Sequence, residues 1–140
     1  MLGRALGAIE QGFRFVMLIL MVKRNISNTT WQDRFDHQKT ILFDENDFSS
    51  PGTKLQVIKF RPNGDIKPHY HRVRTEAFYI LAGEGKIMLD GEMMNCVPGD
   101  YILCKPGIVH AFTNTGQEDF IIEVFRTNDP GDSDMLWADM

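Results

Sequence analysis

Gly64-Asp-Ile-Lys-Pro-His69-Tyr-His71-Arg-Val-Arg-Thr-Glu76-Ala-Phe-Tyr-Ile-Leu-Ala-Gly83 is the stretch on which the reading of this chain turns. Side chains alternate along an extended backbone, so His69 and His71 project from one face and their imidazoles converge. A four-residue link able to carry a turn follows, and Glu76 then opens a second extended run that brings its carboxylate toward the same point. A later stretch, Pro98-Gly99-Asp-Tyr-Ile-Leu-Cys-Lys-Pro106-Gly107-Ile-Val-His110-Ala-Phe-Thr-Asn114, supplies a third imidazole. Three of the four histidines in the chain therefore lie in two short segments.

Around these segments the texture is all-β. From Thr53 onward, glycines separate short runs rich in Val, Ile, Leu, Phe and Tyr, which is the punctuation of a small sheet protein. Eight strands are expected: Leu55 to Phe60, Ile66 to His71, Glu76 to Ala82, Lys86 to Leu89, Glu92 to Val97, Tyr101 to Leu103, Val109 to Asn114 and Phe120 to Arg126. Asp90-Gly91 is a two-residue hairpin signal, and Gly83-Glu-Gly85 and Pro98-Gly99-Asp100 are further turns, so neighbouring strands are expected to run antiparallel. No stretch after residue 25 keeps a helical apolar period, and no internal repeat is present.

The two segments resemble the paired motifs of the cupin superfamily, G-x5-H-x-H-x(3,4)-E-x6-G and G-x5-P-x-G-x2-H-x3-N, over about Leu55 to Arg126. His69, His71, Glu76, Gly83, Gly99, Gly107, His110 and Asn114 fall in register with those motifs. Gly64 stands four residues before His69 where the pattern has five, and Lys105 takes the usual proline place with Pro106 after it; both departures concern turns. The resemblance implies a double-stranded β-helix, the jelly-roll or cupin barrel, with a divalent metal held by His69, His71, Glu76 and His110 near its mouth. Three imidazoles and one carboxylate suit Fe, Mn, Zn, Ni, Co or Cu rather than Ca or Mg. A six-coordinate ion with four protein ligands keeps two positions for water, dioxygen or a bidentate oxygen chelate. The alternative at this level is a metal-free barrel with vestigial histidines.

If His69, His71 and Glu76 face inward, parity along the strands sends Lys67, Phe78 and Ile80 inward with them, and Phe112 and Asn114 share the face of His110. Ala77, Tyr79 and Leu81 then face outward, where an apolar sheet face needs cover from another segment or a second subunit; cupins commonly pair in this way, so a homodimer is expected. Tyr101, Lys67 and Glu123 are the candidate acid-base groups, and Phe78, Phe112, Arg72 and Arg74 the candidate substrate contacts. Arg72, Arg74, Lys86 and Lys105 near the mouth are either a lure for an anionic substrate or solvated loop charge. Two function classes follow: a metalloenzyme acting on a small oxygenated molecule, of dioxygenase type or sugar or sugar-phosphate isomerase type, and a non-catalytic metal-dependent module that binds or senses a small molecule. Isomerisation needs a base besides the ligands, whereas oxygenation needs chiefly a redox-active metal.

Composition sets the outer bounds. At 140 residues, 43% hydrophobic and 24% charged, the chain has the make-up of one ordinary globular domain. A net charge of −4 offers no basic footprint for nucleic acid. Cys96 and Cys104 are spaced for neither a redox pair nor a zinc knuckle and are expected to be reduced, in a cytoplasmic setting. Residues 1–24 form an N-terminal extension in which Phe15 to Val22 is an apolar run flanked by basic residues. It is far shorter than the roughly 20 residues that span a bilayer, so no membrane partner is expected. Three readings stand: a start placed too early, with Met17 or Met21 the real beginning; a helix or strand packing on a partner; or a membrane signal. Residues 25–52 read as an N-terminal arm lying over a barrel of residues 53–127, and 128–140 as an acidic tail.

Overall fold

The computed structural model describes residues 21–139, so the readings of the N-terminal extension fall almost wholly outside the described residues. Every one of the eight expected strands is present to within one residue at either end: β3 (Lys54–Phe60), β4 (Asp65–His71), β5 (Thr75–Ala82), β6 (Gly85–Leu89), β7 (Glu92–Cys96), β8 (Tyr101–Cys104), β9 (His110–Asn114) and β10 (Phe120–Thr127). Three more strands come from the segments read as arm and tail: β1 (Gln32–Asp33), β2 (Gln38–Phe43) and β11 (Met135–Trp137). A single helical turn, α1 (Glu45–Phe48), joins β2 to β3; Asp44 caps it by accepting from the Asn46 and Asp47 N–H groups at 3.0 Å each.

The strands form two antiparallel sheets, one ordered β1-β2-β3-β10-β5-β8 and the other β11-β4-β9-β6-β7. From β3 to β11 the chain changes sheet at almost every connection, and the product is the expected double-stranded β-helix. This alternation revises the expectation for the turns. Of the three expected turns, Asp90-Gly91 alone closes a hairpin, β6 to β7, with φ of 46° and 89° at its two residues, the left-handed pair that a tight primed turn requires. Gly83-Glu84 and Pro98-Gly99-Asp100 instead carry the chain from one sheet to the other. Gly85 has a separate role: a Cβ there would lie 2.6 Å from the Phe120 ring of the facing sheet and 2.5 Å from the Thr113 carbonyl oxygen of the neighbouring strand, so no side chain fits.

Between the sheets lies a core of Phe60, Phe78, Ile80, Ile87, Phe112, Phe120, Ile122 and Val124, with Cys96 and Cys104 buried among them as free thiols. The period-2 burial of β5 and β9 is the cause: Glu76, Phe78 and Ile80 point in while Ala77, Tyr79 and Leu81 point out, and His110, Phe112 and Asn114 point in together. Asn114 ties the end of β9 in place, donating to the Phe60 carbonyl at 3.0 Å and the Glu118 carbonyl at 2.8 Å.

The arm does not simply lie over the barrel. β2 pairs edge to edge with β3, from Gln38 opposite Lys59 to Phe43 opposite Leu55, and so extends the sheet itself. Covering is left to α1, whose Phe48 packs on Phe125 of the outer face at 5.9 Å. The acidic tail is likewise built in: β11 pairs with β4, placing Met135 opposite His71 and Trp137 opposite His69. Among the described residues no helix is long and apolar enough to cross a membrane.

Candidate metal centre

The four expected ligands arrive on three strands. His69 and His71 sit on β4, Glu76 at the start of β5, and His110 opposite His69 on β9. The link between β4 and β5 is held by the tail: the Asp134 carboxylate accepts from the Val73 N–H at 3.0 Å and the Arg74 N–H at 2.9 Å. Those bonds satisfy the turn's donors and fix where Glu76 begins. All four side chains are at most 5% exposed, and the imidazole rings of His69 and His110 lie 4.3 Å apart.

The donor atoms fit an ion. Ligating nitrogens of His69, His71 and His110 lie within 4.8 Å of one another, the one such cluster of three among the described residues. Glu76 Oε1 stands 2.7 Å from His71 Nε2 and 3.3 Å from His110 Nε2, near the separation of about 3 Å between adjacent ligands of an ion bonded at about 2.1 Å. Yet His71 Nε2 and His110 Nε2 are buried without a properly aligned hydrogen bond. Buried polar nitrogens left this way are costly unless something else satisfies them. The far sides of two rings explain their orientation: His69 Nδ1 faces the Lys67 carbonyl at 2.8 Å and His110 Nδ1 faces the Ile108 carbonyl at 2.9 Å. A carbonyl accepts, so each Nδ1 carries a hydrogen and each Nε2 is the nitrogen turned toward the centre.

Electrostatics divide the ligands. Burial lowers the pKa of His69 to about 4, with the neighbouring His110 and His71 adding to the effect, so this ring is neutral at neutral pH. Burial pushes Glu76 up, but His110, His71 and Arg126 outweigh it and hold the carboxyl well below its usual range. Burial also opposes charge on His110, yet Cys104 and Glu76 together raise its pKa to about 10. In the ion-free chain a proton thus balances Glu76, and a metal would displace it.

The two oxygens of Glu76 have separate duties. Oε1 faces the imidazoles, while Oε2 accepts from Arg126 Nε at 2.8 Å. Arg74 is 3% exposed and donates to Asp129 at 3.1 Å and to the Gly131 carbonyl at 3.1 Å. It also lines the cavity, with its Nη1 3.9 Å from Glu76 Oε2. Arg72 is exposed and stands outside the cavity, as do the exposed Lys86 and Lys105.

The centre forms one wall of a cavity of about 410 Å³. Phe78 and Phe112 line it, as expected, together with Ile58, Ile66, Val124 and Trp137. None of the three expected acid-base groups does. Lys67 is 75% exposed and pairs with Asp65 at 3.0 Å; a register shift in β4 between Ile66 and His69 breaks the parity that would have turned it inward. Tyr101 is 79% exposed and stacks on Tyr79 on the outer face. Glu123 alternates with the buried Ile122 and Val124 and so points away from the centre.

Other residues take their place. Arg126 could have been found from β10, since it follows Ile122 and Val124 at inward parity. His37, bonded through Nδ1 to Asp36 Oδ1 at 2.5 Å, and Lys39 enter the cavity from β2 and the segment before it. Ile41-Leu42-Phe43 has no alternation, so nothing in the sequence marked that segment as an inward-facing strand.

Comparison with known proteins agrees with this architecture. The cupin domain family matches residues 56–125. An uncharacterized protein of Aquifex aeolicus is 31% identical over 76 residues, 54% of this chain and 62% of that one. Quercetin 2,3-dioxygenase of Bacillus subtilis is 38% identical over 65 residues, 46% of this chain but 19% of the relative. The chain therefore spans less than two thirds of either relative. A predicted oxalate decarboxylase of Thermotoga maritima has the same fold, with a TM-score of 0.71, 23% identity and coverage of 76% of this chain and 98% of that one. With its eight core strands, its paired motifs and the family match over half its length, the chain belongs to the cupin domain family.

Proposed function

We propose that this protein is a metal-dependent enzyme acting on a small oxygenated molecule that chelates the ion from within the cavity. The observation that carries the reading is the convergence of three buried imidazoles and Glu76 on one point, with two Nε2 atoms left unsatisfied, at the wall of a mostly apolar cavity. Iron, manganese, zinc, nickel, cobalt or copper fits this donor set. When bound, the ion would supply Lewis acidity and coordination positions for substrate oxygens. The chain's own residues do the rest. Arg126 holds Glu76, the carbonyls of Lys67 and Ile108 orient His69 and His110, and Phe78 and Phe112 exclude water from one side of the ligand.

Dioxygenase chemistry is the first reading, supported by the similarity to the dioxygenase. Isomerisation of a sugar or sugar phosphate is the second, and one observation favours it: His37 lines the cavity, and burial lowers its pKa against the pull of Asp36, so it is a neutral base able to take a proton. A non-catalytic sensing module is the remaining alternative. A screen of hydroxy-keto compounds, sugar phosphates and catechol-like diols against metal-loaded protein separates these. At least one should raise the melting temperature, and none of these should do so on His110→Ala. Oxygen uptake with consumption of the hit assigns the oxygenase, conversion without oxygen uptake assigns the isomerase, and binding without turnover moves the protein to the sensing class. A screen without a single binder would defeat the chelate reading.

The setting and assembly are inferred similarly. Free, buried Cys96 and Cys104 favour a reducing, cytoplasmic environment. Tyr101 and Leu103, at 79% and 59% exposure beside Tyr79, form an apolar outer patch that supports a homodimer. Sedimentation velocity should give a dimer that Tyr101→Asp converts to monomer; a monomeric wild type would end that reading.

A further inference from the structure

A second polar wall faces the same cavity, two to three strands away from Glu76 in the six-stranded sheet. Lys39 on β2 is 9% exposed and lines the cavity, with no hydrogen bond or ion pair to another described residue. Gln56 on β3 is 1% exposed, lines the cavity too, and has its Oε1 buried without a partner. The register sets Lys39 opposite Ile58 and Gln56 opposite Ile41, so the two side chains are diagonal neighbours on one inward face.

The charges around them are otherwise accounted for. Arg126 serves Glu76, Arg74 serves Asp129, and Asp36 serves His37. Arg34 and Lys39 remain, with Asp132 as the unpaired acid of the cavity lining. An ammonium removed from water without a counter-charge is unfavourable, and burial accordingly lowers the Lys39 pKa to about 8, with Arg34, Arg126 and Lys54 adding to the effect and Asp132 opposing it. An unpartnered ammonium facing a cavity is the complement of a carboxylate, to whose oxygens it donates, while the orphan Gln56 Oε1 accepts and so suits a hydroxyl or other donor of the ligand beside that carboxylate. Arg34 and Lys39 against Asp132 leave one positive charge in excess, which matches a monoanionic carboxylate better than a phosphate dianion.

We propose that Lys39 anchors an anion subsite, and that the ligand of this protein is a small acid whose carboxylate docks there while oxygens at its other end reach the metal centre. This rests on the chelate reading above and narrows its substrate class. The test uses the metal-loaded full chain and matched pairs of probes by isothermal titration calorimetry: α-ketoglutarate against α-ketovalerate, and α-ketoadipate against α-ketocaproate. Each pair shares the chelating head and differs by the distal carboxylate. At least one diacid should bind about tenfold more tightly than its monoacid, the scale of one charge-assisted contact. Lys39→Met should erase that advantage while monoacid binding persists, which also shows that the variant is folded. Lys39→Arg should retain most of it. The wild-type advantage should fade as pH rises through about 8, where Lys39 loses its proton; the guanidinium groups of Arg34 and Arg126 keep their charge there, and monoacid binding corrects for proton effects at the metal centre. Equal affinity within both pairs, or an advantage unchanged in Lys39→Met, would overturn the subsite and leave the chelate reading intact. Failure of all four acids, monoacids included, would overturn the two together.

Discussion

Replacing His110 with alanine should abolish the rise in melting temperature that an excess of divalent transition metal gives the wild-type chain. An ion that binds only the native state stabilises it by mass action, about 4 kcal/mol at a thousandfold excess over the dissociation constant. For a chain of this size that is a shift of roughly 14 °C. His110 contributes one of three converging nitrogens and borders Glu76 at 3.3 Å, so its loss breaks the site from the β9 side. Calorimetric scans with and without added zinc or manganese read the effect directly, and the metal-induced difference is the quantity of interest because truncation also costs the ion-free chain something. Glu76→Gln should retain part of the difference, since an amide oxygen still coordinates. A metal-induced rise that survives in His110→Ala would place the ion elsewhere.

The second large effect lies two residues along the same strand and has the opposite signature. Phe112→Ala should lower the melting temperature of loaded and metal-free protein alike, by the equivalent of about 3–5 kcal/mol. Phe112 is 2% exposed and its ring meets Phe78 at 4.9 Å, Phe60 at 6.3 Å and Phe120 at 6.3 Å, so truncation opens a void at the junction of both sheets. Its side chain ligates nothing, so the metal-induced rise should persist if the variant remains folded. Parallel scans of the two variants thus separate ligand from core on a single strand. A Phe112→Ala protein as stable as wild type would mean that the cavity wall collapses around the missing ring.

The contrast shows what the sequence disclosed. Strand positions and inward parity were legible wherever apolar alternation ran unbroken between glycines, as on β5 and β9, and there His110, Phe112, Glu76 and Phe78 could be assigned to the interior by counting. Counting failed at Lys67 because Pro68 sits in a strand whose register shifts, which turns the preceding side chain out to Asp65. It failed for Tyr101 and Glu123 because their chemistry, rather than their parity, nominated them. The cavity's basic wall was invisible for a different reason. Lys39 and His37 belong to a segment with no period, and only the pairing of β2 with β3, a tertiary event, turns Lys39 toward the centre. The tail was equally silent: Met135-Leu-Trp137 is too short to declare itself a strand, yet it places an indole 5.8 Å from His69.

The central claim is that this barrel holds one transition-metal ion on His69, His71, Glu76 and His110. Elemental analysis of the full chain, purified without a metal-affinity tag, tests it most directly. About one equivalent of iron, manganese, zinc, nickel, cobalt or copper per chain is expected, falling to near zero in the three His→Ala variants. Protein that carries no metal after such a purification, and takes up none when titrated with each of these ions, would contradict it.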